Sequence, residues 1–242
     1  PSFGYDFLMK CLSVRSQLAC KADQWLVGEA VIWGFVWFAR SGRVDSSAGR
    51  ILEDLVQTGE AGLENLFNGE SFATSFLLTC GGLLKDVEGC QSFVDAAREN
   101  LRLDVQERVG DDGGVGMESS AEILTAVNRW ARCREVIHAT SGEKLGKETN
   151  SKIDQAVVFA VLLLGNSGQS VTECGCDAEQ SVAPILQVAS CGPKKVAATV
   201  LAITEGKNSS GDVRWTEKGL GERFLFDEEQ KIAVFRSGWK RG

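Results

Sequence analysis

Hydrophobic residues recur every three or four positions over most of the first 165 residues of this chain, the spacing that lines one side of an α-helix. Phe7, Cys11, Val14, Leu18, Ala22 and Trp25 form the first such stripe, in a helix predicted over residues 7–40 and stopping near Gly42. Beyond Trp25 the residues are apolar nearly all round, as in a helix that buries several faces. Ser46 and Ser47 are placed to cap a second helix with Leu52, Leu55, Val56, Leu63 and Leu66 inward, ending near Asn68-Gly69. Phe72, Phe76, Leu77, Cys80 and Leu84 predict a short helix broken or bent around Gly81-Gly82. A further helical face, Cys90, Val94, Ala97, Leu101 and Val105, runs as far as Arg108.

The Gly-rich run at 110–116 reads as a loop, after which Ser119 and Glu122 have the spacing of a capping box. They open a helix with Ile123, Val127, Trp130 and Ile137 inward, stopping near Gly142. Asn150 is placed to cap a helix over 151–164. The pattern then changes. Residues 195–204 suit helix or strand, and 223–226 with 231–235 alternate as a hairpin would. The expected fold is mainly α: an elongated helical bundle over residues 1–165, then a smaller mixed α/β cysteine-bearing region over 166–242, the two being separate lobes or one continuous domain.

Composition narrows the function. A formal charge of −7 argues against nucleic acid as a partner, since phosphate affinity needs clustered Lys and Arg, and only residues 236–241 hint at such a cluster. Three prolines in the whole chain suit uninterrupted helices. The apolar runs at 30–39 and 156–164 are about half of the ~20 residues that a bilayer demands, so both read as buried core. The chain opens on Pro-Ser-Phe-Gly, which suggests a mature or trimmed fragment.

Each catalytic motif fails at a named position. Residues 141–149 approximate a phosphate-binding loop, but Gly142 stands one residue too close to Gly146-Lys147 and Glu148 replaces the hydroxyl that would hold magnesium. Residues 111–122 begin and end on carboxylates as a calcium loop does, yet Gly113 and Val115 offer no side-chain oxygen. His138 is the single imidazole, and at five helical residues from Cys133 it does not share that thiol's face. Trp25, Trp33, Phe35, Trp37 and Phe38 suit either a ligand pocket or, more simply, the core. No carboxylate pair stands out for acid–base work. The expectation is a non-enzymatic protein without cofactor or metal.

The eight cysteines are Cys11, Cys20, Cys80, Cys90, Cys133, Cys174, Cys176 and Cys191. An even number permits four disulfides in 105 arrangements. Zinc wants two close ligand pairs, and only Cys174 and Cys176 stand close. Cys11 and Cys80 sit on apolar faces and would suit buried thiols, whereas Cys174, Cys176 and Cys191 lie among polar residues. Disulfides are therefore favoured, with an extracellular setting. Cys174 and Cys176 would have different partners, Cys191 being the nearest candidate for one. Asn208 heads a glycosylation sequon that points the same way.

An early long helix bearing Cys11 and Cys20, few prolines, a late helix at 151–164 followed by Cys174-Gly-Cys176 and Cys191, and the Asn208 sequon together resemble trypanosome cell-surface glycoproteins of the variant-surface-glycoprotein-like or receptor type. The resemblance implies an elongated bundle, disulfides in a distal lobe, and membrane attachment only through an anchor absent from this chain. The richness in Trp departs from that family's pattern. The expected function is an antigenic coat or a receptor for a host protein at the cell surface. The competing expectation is an intracellular helical assembly protein, matrix- or nucleoprotein-like, with reduced cysteines and self-association through helix faces.

Overall fold

A computed structural model describes residues 3–42, 46–67, 71–111, 113–117, 120–142, 144–162, 224–227 and 232–235. These are mainly α-helical: α1 (Phe3–Arg15), α2 (Lys21–Arg40), α3 (Ala48–Phe67), a 3₁₀ turn (Ser71–Ala73), α4 (Thr74–Leu83), α5 (Gln91–Arg108), α6 (Ser120–Ser141) and α7 (Lys147–Leu162). The chain divides into two compact units, Pro1–Asp104 with Cys133–Leu145, and Val105–Arg132 with Gly146–Gly242. Ser119, residues 195–204, Asn208 and the proposed boundary near residue 165 lie outside the described residues.

In the first unit, α4 is the central element, with every side chain from Thr74 to Cys80 buried. It packs against α2 and α3. Gly81 and Gly82 do not break it, contrary to expectation; they lie in its last turn because neighbours approach too closely for a side chain. A Cβ on Gly81 would stand 2.7 Å from the carbonyl oxygen of Cys90, and one on Gly82 would stand 2.5 Å from Cβ of Thr140. Two glycines that look like a helix breaker are where α5 and α6 come down on α4.

The single helix expected over 7–40 is two helices joined by a tight turn. Val14 and Arg15 carbonyls accept from the Gln17 and Leu18 amides, and the Gln24 side chain donates to the Leu18 carbonyl at 2.7 Å. Cys20 is extended (φ −91°, ψ 121°) and opens α2. The turn contains neither Gly nor Pro, so apolar spacing alone runs straight through it. The inward faces also shift. α1 buries Tyr5, Leu8 and Leu12, leaving the predicted Phe7 and Val14 outside. α3 buries Ala48, Ile51, Leu55, Thr58, Gly59, Gly62 and Leu66, with Leu52, Val56 and Leu63 on its flanks. The predicted inward residues of α6, Ile123, Val127, Trp130 and Ile137, are all buried.

In the second unit, the 110–116 loop is closed by an antiparallel bridge between Val109 and Val115, with the Gly110 amide donating to the Gly114 carbonyl. α7 begins at Lys147, so Asn150 lies inside its first turn rather than capping it, and its amide donates to the Gly146 carbonyl at 3.0 Å. Ile153, Ala156, Val157 and Phe159 of α7 are buried. β1 (Phe224–Asp227) and β2 (Ile232–Phe235) pair antiparallel, Phe224 opposite Phe235 and Asp227 opposite Ile232. No helix of the described residues is long and apolar enough to cross a membrane.

The glycine packing gives a paired expectation. Gly81→Ala should lower stability by about 1–3 kcal/mol, because the methyl meets backbone that cannot yield. Gly49→Ala, in α3 with open space around it, should raise stability by about 0.5–1 kcal/mol. Urea unfolding followed by far-UV circular dichroism checks both, and equal effects at the two sites would contradict the close approach at Gly81.

Candidate functional site

Among the described residues, α1 and α2 build a surface of unusual character. The two helices pack against each other in opposite directions: Phe38 lies over Gly4, and the Leu8 side chain over Gly34, where a Cβ would come within 2.9 Å of it. Tyr5 locks the pair by stacking edge-on to Phe35 at 6.0 Å and tilted on Phe38 at 5.6 Å. On its inner side α2 lies against α4, with Trp25 on Phe76 at 5.4 Å and Val31, Ile32 and Phe35 buried. The remaining strip is still apolar.

That strip carries Leu26, Ala30, Trp33 and Trp37, spaced by four, three and four residues. Leu26 is 42% exposed, Trp33 41% and Trp37 59%. A parallel strip on α1 carries Phe7, 57% exposed, the half-exposed Cys11, and Val14, 43% exposed. Charged residues border both: Asp6 and Lys10 on α1, Asp23 and Arg40 on α2, all exposed. Scattered exposed apolar residues are ordinary, but a continuous stripe rimmed by charge marks an interaction surface. The five aromatics grouped in the sequence thus neither line a pocket together nor form one core; Phe35 is inside, Trp25 and Phe38 are half-buried, and Trp33 and Trp37 face outward.

Two buried polar features escaped the sequence reading. Glu29 is buried on α2, its carboxylate accepting from the Ser75 hydroxyl of α4 at 2.9 Å. Its signal in the sequence is a lone charge within an otherwise apolar run. Arg15 reaches across to α3, donating to the Thr58 hydroxyl at 2.9 Å, and Thr58 in turn donates to the Asp54 carbonyl at 2.6 Å. Burial lowers the Arg15 pKa from its usual value, and the charge of Asp54 opposes that shift.

No disulfide is seen among the described cysteines, which differ in depth. Cys20 is exposed and Cys11 half-buried, while Cys80, Cys90 and Cys133 are buried. The sulfurs of Cys80 and Cys90 stand 3.8 Å apart across the α4–α5 junction. Their shared hydrogen bond pushes the Cys80 thiol up, with burial adding to the effect, and favours the Cys90 thiolate as the first to form. Cys174, Cys176 and Cys191 lie outside the described residues.

The near-motifs dissolve on geometry. Where a calcium loop would gather carboxylates, the Lys152 ammonium donates to the Val109 carbonyl and lies 3.8 Å from Asp111. An open hollow of about 470 Å³ beside it mixes Asp111 and Glu148 with Lys147 and Lys152, so neither sign of charge prevails. The phosphate-loop approximation connects α6 directly to α7, helix to helix. His138 is exposed while Cys133 is buried, so they do not meet. Among the described residues no group of three His, Cys, Asp or Glu side chains could hold a metal ion.

No protein-family model, curated protein or solved structure matches this chain.

Two outcomes are expected from this arrangement. Alkylation of the native protein should label Cys20 fastest and spare Cys80, Cys90 and Cys133 until denaturant is added, as peptide mass mapping over time would show. Ser75→Ala removes a donor from a buried carboxylate and should cost about 1–3 kcal/mol in urea unfolding, whereas Ser92→Ala on the exposed start of α5 should cost less than about 0.5 kcal/mol.

Proposed function

We propose that this protein is a non-enzymatic helical assembly protein that associates with copies of itself through apolar helix faces. The observation that carries this reading is the outward stripe of α1 and α2, from Phe7 to Trp37, which is apolar although the described residues leave it largely exposed. A surface of this kind, rimmed by charge, is the signature of an interaction site. The buried thiols Cys80, Cys90 and Cys133 suit a reducing compartment, where free cysteine packs as a small hydrophobe.

One observation favours a second reading. The Cys80 and Cys90 sulfurs at 3.8 Å are near enough for small side-chain rotations to close a bond of about 2.05 Å, and the polar surroundings of Cys174, Cys176 and Cys191 favour oxidation as well. That chemistry belongs to an extracellular surface protein, a coat or a receptor for a host protein of the kind the trypanosome-like arrangement suggests.

Thiol titration and sedimentation together separate the two. For the assembly reading, protein purified without reductant and then denatured should expose eight alkylatable cysteines, and the native sample should grow in mass between about 1 and 100 μM, the range of moderate association constants. A monomer at every concentration with four disulfides would overturn it in favour of the surface protein.

A further inference from the structure

We infer that α2 is a self-recognition helix, pairing antiparallel with α2 of a second copy of this chain about a two-fold axis between Val31 and Ile32. This rests on the assembly reading and names the surface and the geometry through which assembly begins.

The exposed strip is longer than its apolar centre. Asp23, Leu26, Ala30, Trp33, Trp37 and Arg40 follow one another at intervals of three, four, three, four and three, and all six are exposed. That is the alternation of the two inward positions of a heptad, the spacing by which one helix lays a seam against another. Among the described residues no other helix covers it, since α1 and α4 lie against other sides of α2.

The order of residues along the seam selects both the partner and its direction. When two copies run antiparallel about the stated axis, Leu26 faces the partner's Trp37, Ala30 faces the partner's Trp33, and Asp23 faces the partner's Arg40. Every apolar layer then sets one indole against a smaller aliphatic side chain, so the volume stays even along the seam. Each end is closed by an opposite-charge pair, and the two helix dipoles oppose. In a parallel pair the same residues would meet themselves: Asp23 against Asp23, Arg40 against Arg40, Trp against Trp and Ala against Ala. Like charges at both ends and uneven layers oppose that arrangement. A surface that complements itself under a two-fold rotation is what an isologous dimer requires.

The pairing is tested on the full chain with the charge reversals D23R and R40D. Each alone places like charges at both ends of the dimer and should weaken it by about tenfold in sedimentation equilibrium, which corresponds to about 1.4 kcal/mol shared between the two exposed pairs. An equimolar mixture of D23R and R40D chains brings opposite charges together again at both ends and should recover wild-type affinity to within about threefold. Weakening by each reversal together with rescue in the mixture is specific to the antiparallel register, because a parallel pair already sets like charges together at both ends and would lose nothing from either reversal alone. W37S, which empties the layer against Leu26 at both ends, should weaken the dimer by about 30-fold or more. Circular dichroism should show the same helicity in every variant, because these side chains lie outside the folded core. An oligomer indifferent to all of these changes overturns the α2 pairing and leaves assembly through another face intact. Weakening by each reversal without rescue in the mixture overturns the antiparallel register. A wild-type chain that stays monomeric at every concentration overturns both, and gives the face to a partner of different sequence.

Discussion

The first unit depends on how much of α2 its neighbours can cover. A helix apolar around nearly its whole circumference needs partners on every side, and among the described residues α1, α4 and, through Trp25 beside Gly62, α3 cover α2 only in part. Tyr5, Leu8 and Leu12 of α1 fill one side, and Phe76 and Ser75 of α4 lie beneath. Close packing is what makes those two contacts effective, with Phe38 seated over Gly4 and Leu8 over Gly34. Once two flanks are used so tightly, geometry leaves a third strip facing outward, and its residues happen to be Leu26, Ala30, Trp33 and Trp37. The position of Glu29 follows from the same constraint. It falls on the covered part of the circumference and is tolerated there because Ser75 offers it a hydroxyl.

Periodicity revealed the helices well and their orientation less well. The inward residues of α6 and the buried line Cys90, Ala97, Leu101 and Val105 around α5 follow directly from spacing, because the opposite sides of those helices are charged. α1 and α2 lack that contrast. Phe7, Cys11 and Val14 make as good a stripe as Tyr5, Leu8 and Leu12, and only the partner decides which is inside. The same ambiguity hid the turn at Ser16–Cys20, where residues with ordinary helix propensity stand without Gly or Pro, and the chain bends because α1 and α2 gain from lying side by side. Gly81-Gly82 failed in the other direction. A glycine pair signals flexibility in isolation, yet here Cys90, Val94 and Thr140 fill the room that its missing side chains leave.

The apparent chemistry of the sequence fails for a related reason: motifs specify residue types, while sites need atoms that converge. Asp111 has a cation beside it, but the cation is Lys152, which also satisfies the Val109 carbonyl and so fastens the loop to α7. The contact is structural. Cys80 and Cys90 do converge, though spacing alone gave no reason to choose them over any other pair of eight. What joins them is the short turn that brings the start of α5 back onto the end of α4.

The outward strip of α2 separates the energetics of folding from those of association. A side chain as exposed as Trp37 contributes little to the monomer, since most of its surface remains in water with or without the rest of the fold. Its exposed area is available to be buried later, as are the smaller exposed parts of Leu26 and Trp33. Folding therefore proceeds through Tyr5, Phe35, Phe76 and their neighbours, while the strip is left as a reserve of apolar area. Such a reserve favours aggregation unless its contacts are directed, and direction is supplied by charge. Asp23 and Arg40, one at each end, favour a single register and oppose the reverse one. In the proposed pairing, a hydrophobic seam with this ending is limited to a closed pair, where an uncharged seam would slide and stack.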